Sequence, residues 1–152
     1  MKRIFTLLLF FALLSQQACL DNDCGDCTTS PQAFVFELVD KDTKENLFTN
    51  GTLNKNNIHI INTADDSDVE YTFISENDVN LIVINSIGWK TEKVTALVKV
   101  GETDIFTLYV DAERLHGDCC DYTKYNEYKI ENVAYEIDQT RGVFEILIDT
   151  TE

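Results

Sequence analysis

"VEYTFISENDVNLIVI", residues 69–84, decides the fold class. Val69-Glu70-Tyr71-Thr72-Phe73 alternates apolar and polar, the period-two pattern of a strand with one buried face and one wet face. Leu81-Ile82-Val83-Ile84 is apolar at every position, as a central strand covered on both faces should be.

Outward from this stretch the same signature recurs. On the N-terminal side, Phe34, Phe36 and Leu38 share one face of a first strand, and Asp40 to Asn46 form the turn after it. Asn50-Gly51 is a second turn signal. Ile58 to Ile61 read as a short strand with His59 on its wet face, and Asp65-Asp66-Ser67-Asp68 closes the next loop. On the C-terminal side, Val94, Ala96, Val98 and Val100 mark one strand and Ile105 to Val110 the next. Residues 111–126 read as irregular, with room for one short helical turn. The end reads as a hairpin in which Tyr128, Ile130, Val133, Tyr135 and Ile137 point inward. Their parity changes between Ile130 and Val133, which a β-bulge near Glu131-Asn132 would explain. Asp138 to Gly142 turn the chain, and Phe144, Ile146 and Ile148 line the last strand. No long run keeps helical spacing. Short strands with turn signals between them predict one all-β sandwich over residues 33–150, antiparallel, with about seven to nine strands.

The N-terminus carries a different signal. Lys2-Arg3 precede an unbroken apolar run, Ile4 to Leu14. The run is too short to cross a bilayer, which takes about 20 residues, and it has the layout of a secretory signal. Ser15-Gln16-Gln17-Ala18 leads directly to Cys19. This resembles the lipobox of bacterial lipoproteins, with Gln16 where Leu is usual. The resemblance implies a signal peptide over 1–18, diacylglycerol on Cys19, and a membrane partner reached through that lipid. More than one acyl chain is what makes such an anchor stable. Leu20-Asp21-Asn22-Asp23 resembles the acidic surface-export signal of Bacteroidota lipoproteins. An outer-membrane lipoprotein exposed at the cell surface is therefore expected, a periplasm-facing one being the alternative. Residues 19–32 read as an acidic, cysteine-containing tether.

Cleavage before Cys19 leaves 134 of the 152 residues, enough for one domain with a proper core. It removes Lys2 and Arg3 and no acid, so the formal charge moves from −15 to −17. Such a surface repels phosphate backbones and argues against nucleic-acid binding. Cations, basic protein patches and neutral glycans remain as partners, beside the plain role of charge in solubility.

"FELVDKDTKENL" (36–47), "YTF" (71–73) and "NLIVINSIGWKTEKV" (80–94), with its Gly88-Trp89 turn, resemble carboxypeptidase-regulatory-like domains. The resemblance covers roughly residues 33–100. The Gly-rich turn usual before the "YTF" strand is replaced by the acidic loop. It implies an Ig- or transthyretin-like sandwich that serves as a binding or spacer module, without an active site.

Cys24, Cys27, Cys119 and Cys120 remain once Cys19 takes lipid. An exported, oxidising compartment and an even count make them disulfide candidates. Two of the three pairings would clip the tether to the loop before the last hairpin. The third is local and needs a strained bridge between neighbours. The rivals are a zinc site that adds His116 to the cysteines, and a redox role for Cys24-x-x-Cys27. The zinc pattern is poor in its second half, and an acidic tether disfavours a reactive thiolate.

No nucleophile elbow, zinc-protease or phosphate-loop motif occurs, and two histidines offer catalysis little. The expectation is a non-enzymatic interaction or accessory module with no cofactor and no resident metal. The ligand candidates are Trp89, as a platform for a sugar ring, and Asp65, Asp66 and Asp68, as oxygen ligands for calcium.

Overall fold

The computed structural model describes residues 27–76 and 79–150. The signal peptide, Cys19 and Cys24 lie outside the described residues.

Among the described residues, eleven strands form two sheets packed as a sandwich. They are β1 (Cys27–Thr28), β2 (Phe34–Asp40), β3 (Ile58–Asn62), β4 (Ser67–Asp68), β5 (Thr72–Ile74) and β6 (Leu81–Ile84). Then come β7 (Glu92–Val100), β8 (Thr103–His116), β9 (Cys120–Glu131), β10 (Ala134–Asp138) and β11 (Val143–Ile148). One sheet runs β1-β9-β8-β7-β3-β4 and the other β10-β11-β2-β6-β5. Pairing is antiparallel except for β1 with β9 and β11 with β2, which are parallel.

The core lies between the sheets, where alternate positions meet. Phe34, Phe36 and Leu38 of β2 are buried, as are Val94, Ala96, Val98 and Val100 of β7 and Ile146 of β11. Phe36 sits 4.8 Å from Phe106 across the sandwich and 5.6 Å from Phe144 on the neighbouring strand, ring centre to ring centre. The alternation over residues 69–73 holds: Val69, Tyr71 and Phe73 are half-buried while Glu70 and Thr72 are exposed. Yet this stretch is not one strand. β4 pairs with β3 in one sheet and β5 with β6 in the other, so residues 69–71 carry the chain from sheet to sheet.

Three other readings change. Residues 111–126 are not irregular and contain no helical turn. They are the distal halves of β8 and β9, joined at Gly117 to Cys119, where the Gly117 amide donates to the Cys120 carbonyl. Most side chains at this end are only half-buried or exposed, so no apolar stripe announces the strands. The parity change at Ile130–Val133 is not a bulge within a hairpin. The chain leaves β9 in one sheet and enters β10 in the other, with Asn132 in the left-handed region at φ 68°. The β8–β9 register shifts instead between Asp111 and Ala112, and the β7–β8 register between Val98 and Lys99. Last, the fold begins before Ala33: β1 joins the sheet beside β9 and Pro31 is buried.

The first turn predicts acid lability. The Asp40 carboxylate accepts the Thr150 hydroxyl proton and the amides of Thr43 (2.8 Å) and Asp42 (3.0 Å). These bonds, that of Thr150 foremost, hold its pKa down, from 3.8 to about 2. A carboxyl depressed in the folded state stabilises fully above its unfolded pKa, and the contribution fades as pH falls through the folded one. Urea midpoints at pH 5 and pH 2.5 should therefore fall less far apart in Asp40→Asn than in the wild type. Equal drops would mean that these bonds do not favour the carboxylate.

Candidate functional site

The loop from Asn85 to Thr91, between β6 and β7, places Trp89 at the surface. Its backbone is pinned from several sides. The Gly88 amide donates to Glu92 Oε1 (2.8 Å), and the Thr123 hydroxyl donates to the Gly88 carbonyl (2.6 Å). The Tyr125 hydroxyl lies 3.2 Å from the Gln32 carbonyl and 3.3 Å from that of Ile87. The indole Nε1 donates to the Asn85 carbonyl (3.0 Å).

Gly88 is required here. Its φ is 100°, and a Cβ would lie 2.9 Å from Thr123 Cγ2 and 3.0 Å from the Tyr125 hydroxyl. Gly88→Ala should cost roughly 2–3 kcal/mol of stability through a strained φ and a crowded β9 contact. The change should also alter emission from Trp89, the only tryptophan in the chain. Thermal unfolding and emission spectra check this; an unchanged midpoint would show that the turn relaxes freely.

Trp89 stays 50% exposed. The Arg114 guanidinium lies over its ring, 5.7 Å from the centroid, a cation–π contact. The same guanidinium donates from Nη1 to the Thr29 carbonyl and to Thr123 Oγ1, both at 2.8 Å. Arg114 thus joins the Trp89 turn to the segment just after β1. Sequence reasoning missed it because it lies in the stretch read as irregular.

Beside Trp89 is a surface depression of about 400 Å³, lined in part by Asp65, Ser67, Asp68, Ser86, Lys90 and Glu92. Three of the four ligand candidates, Trp89, Asp65 and Asp68, therefore share one concavity. Asp66 does not line it; it sits in the turn at φ 57°. The Ser67 hydroxyl (2.7 Å) and amide (3.2 Å) both donate to Asp65 Oδ1 and hold this carboxyl below its ordinary pKa. Among the described residues, no three histidine, cysteine or acidic side chains converge as metal ligands. The acidic loop is thus a hydrogen-bonded turn that also forms one wall of the depression. A second depression, of about 410 Å³, lies across the crossover and shares Asp68, Val69 and Glu70 with the first. His59, on the wet face of β3 as expected, lines it.

At the far end of the β8–β9 hairpin, Cys27 and Cys120 form a disulfide across the β1–β9 pairing, 93 residues apart in sequence. Cys119 is disulfide-bonded as well. The cysteines left for it, Cys19 and Cys24, both precede Cys27. His116 Nδ1 lies 2.5 Å from Asp121 Oδ1 at the same tip. No family model, curated protein or solved structure matches the chain.

Proposed function

We propose that this chain is a non-enzymatic lipoprotein, held on the outer membrane by lipid on Cys19, with its sandwich serving as an interaction or accessory module at the cell surface. One observation carries the reading beyond the leader: the Cys27–Cys120 bond, reinforced by β1–β9 pairing. Cys27 follows Cys19 by eight positions. Covalent attachment there limits the slack between lipid and sandwich to roughly 27 Å of extended chain. A module so attached is held close to its membrane rather than swung on a long linker. The bond also spends two of the sulfurs that a zinc or thiol-redox site would need as thiolates.

Intact mass of the membrane-extracted protein, alkylated without reduction and then peptide-mapped, tests this. Acyl mass on a chain starting at Cys19 and four unalkylated cysteines are expected, with Cys27 linked to Cys120 and Cys24 to Cys119. A chain without acyl mass sinks the anchor, and alkylated thiols would put the zinc and redox readings ahead of the disulfide clip.

A second reading, glycan binding, draws on the half-exposed Trp89 beside carboxylate and hydroxyl acceptors in one depression. Titration with neutral polysaccharide would then change Trp89 emission; a flat response removes this reading and leaves the anchored module.

A further inference from the structure

Among the described residues, the sandwich is open along one side. β10 is the outer strand of its sheet, and β9 is covered by β1 only at Cys120 and Asp121. Three large side chains face inward there without being covered. Tyr128 stands opposite Val110, Tyr135 opposite Ile146, and Ile137 opposite Phe144, all three partners being buried. Directly opposed residues share a face of the sheet. Tyr128, Tyr135 and Ile137 therefore have core register, yet they are 41–49% exposed. Tyr128 and Tyr135 rest edge-on against Phe144 at 6.2 and 6.0 Å. The seam thus offers an apolar floor beside a strand edge whose outward backbone groups have no strand to pair with among the described residues.

The other face of the same sheet states which strand would fit. Glu136 of β10 stands opposite Glu145 of β11, which stands opposite Glu37 of β2. This row of three carboxylates runs across the sheet and ends at the open edge. Arg141 answers its inner part, donating to Glu37 (2.8 Å) and Glu145 (3.0 Å). Glu136, at the rim, meets the exposed Lys44 side chain at 3.0 Å. The next position along the row, on a strand added beyond β10, would face Glu136. Opposite charges stabilise such a cross-strand pair and like charges oppose it. A second copy pairing along the whole of β10 would set Glu136 against Glu136. The chain's formal charge of −15 adds to that repulsion.

We propose that the β9–β10 seam accepts an extended segment of a partner protein in which apolar residues alternate with Lys or Arg. The segment adds a strand to β10, seats its apolar side chains on Tyr128, Tyr135 and Ile137, and sets a basic side chain against Glu136. Main-chain pairing supplies the general attraction, and the alternation supplies specificity. This inference is independent of the lipid anchor.

The test uses the full chain with two capped peptides, one alternating Val with Lys and one alternating Val with Glu. Amide exchange and titration follow binding. The Val-Lys peptide should slow exchange in β10 while leaving the edges at β4 and β5 unchanged, and should bind about tenfold tighter than the Val-Glu peptide. Glu136→Lys, a change at a solvent-facing position, should reverse that order. It separates local recognition from attraction to the net charge. Protection of no strand, protection of every edge alike, or a preference that Glu136→Lys leaves unchanged would overturn the proposal. So would slowed β10 exchange in the chain alone that fades on dilution, which marks a second copy as the occupant. Any of these results leaves the anchor to be decided by its own mass measurement.

Discussion

Phe36→Ala should lower the unfolding free energy by about 3–5 kcal/mol, the range for emptying a well-packed aromatic site. Phe36 is 0% exposed and sits in mid-strand, with Ile82 opposite on β6 and Phe144 opposite on β11. Its ring also meets Phe106 from the other sheet. The cavity would be bounded by side chains on both sheets, whose backbones are tied by ladder bonds and cannot close the gap. A surface site makes the contrast: Ile137→Ala, at the open seam, should cost less than about 1 kcal/mol. Urea unfolding measures both. The midpoint of Phe36→Ala should drop while the slope stays constant, because the same surface is exposed on unfolding. A loss below about 1 kcal/mol would mean that the sheets are not held together through these rings.

That contrast shows where the sequence is legible. β2, β7 and β11 were readable because their alternate residues meet the opposite sheet, and burial imposes the period-two pattern. The turn from Asp138 to Gly142 was readable because Gly142 takes a left-handed φ of 68° and Asp138 accepts its amide. The far halves of β8 and β9 were not readable. Their side chains from Glu113 to Leu115 are half-buried on both faces, so polarity there reports a projecting hairpin rather than a loop. β1 has no pattern of its own; a disulfide and two backbone pairings hold it. Tyr128, Tyr135 and Ile137 were assigned the right face, but whether a partner sheet reaches over them is a tertiary matter that alternation cannot express.

The candidate site divides in the same way. Trp89 and the acidic loop were each visible as residue types suited to ligands. Their meeting in one depression depends on the crossover at residues 69–71, which brings the loop beside the Gly88-Trp89 turn. Arg114 was hidden because its role comes from β8–β9 register, through Thr123, and from a carbonyl 85 residues away.

The disulfides should show the strongest non-additivity in the molecule. Closing a loop of 93 residues stabilises by about 4–5 kcal/mol in the chain-entropy model. Cys119 and Cys120 are neighbours, and the cysteines available to Cys119 lie close before Cys27 in sequence. With Cys24 as the proposed partner of Cys119, both bonds would join the same two segments. Once one is in place the long loop is already closed, and the second closes only a short one. Replacing Cys27 and Cys120 together by Ser should cost about 1–2 kcal/mol, whereas removing all four cysteines should cost about 5–7 kcal/mol. Urea unfolding without reductant separates the cases. If each pair alone cost as much as half the total, the two bonds would be closing independent loops, and Cys119 would not be joined to the segment before Cys27. The redundancy bears on function. β1 contributes only two strand pairings, a weak hold on β9 without a covalent bond. On the proposed anchor, either bond alone would keep the segment around Cys27 beside β9, whereas loss of both would lengthen the tether to the chain that enters β2.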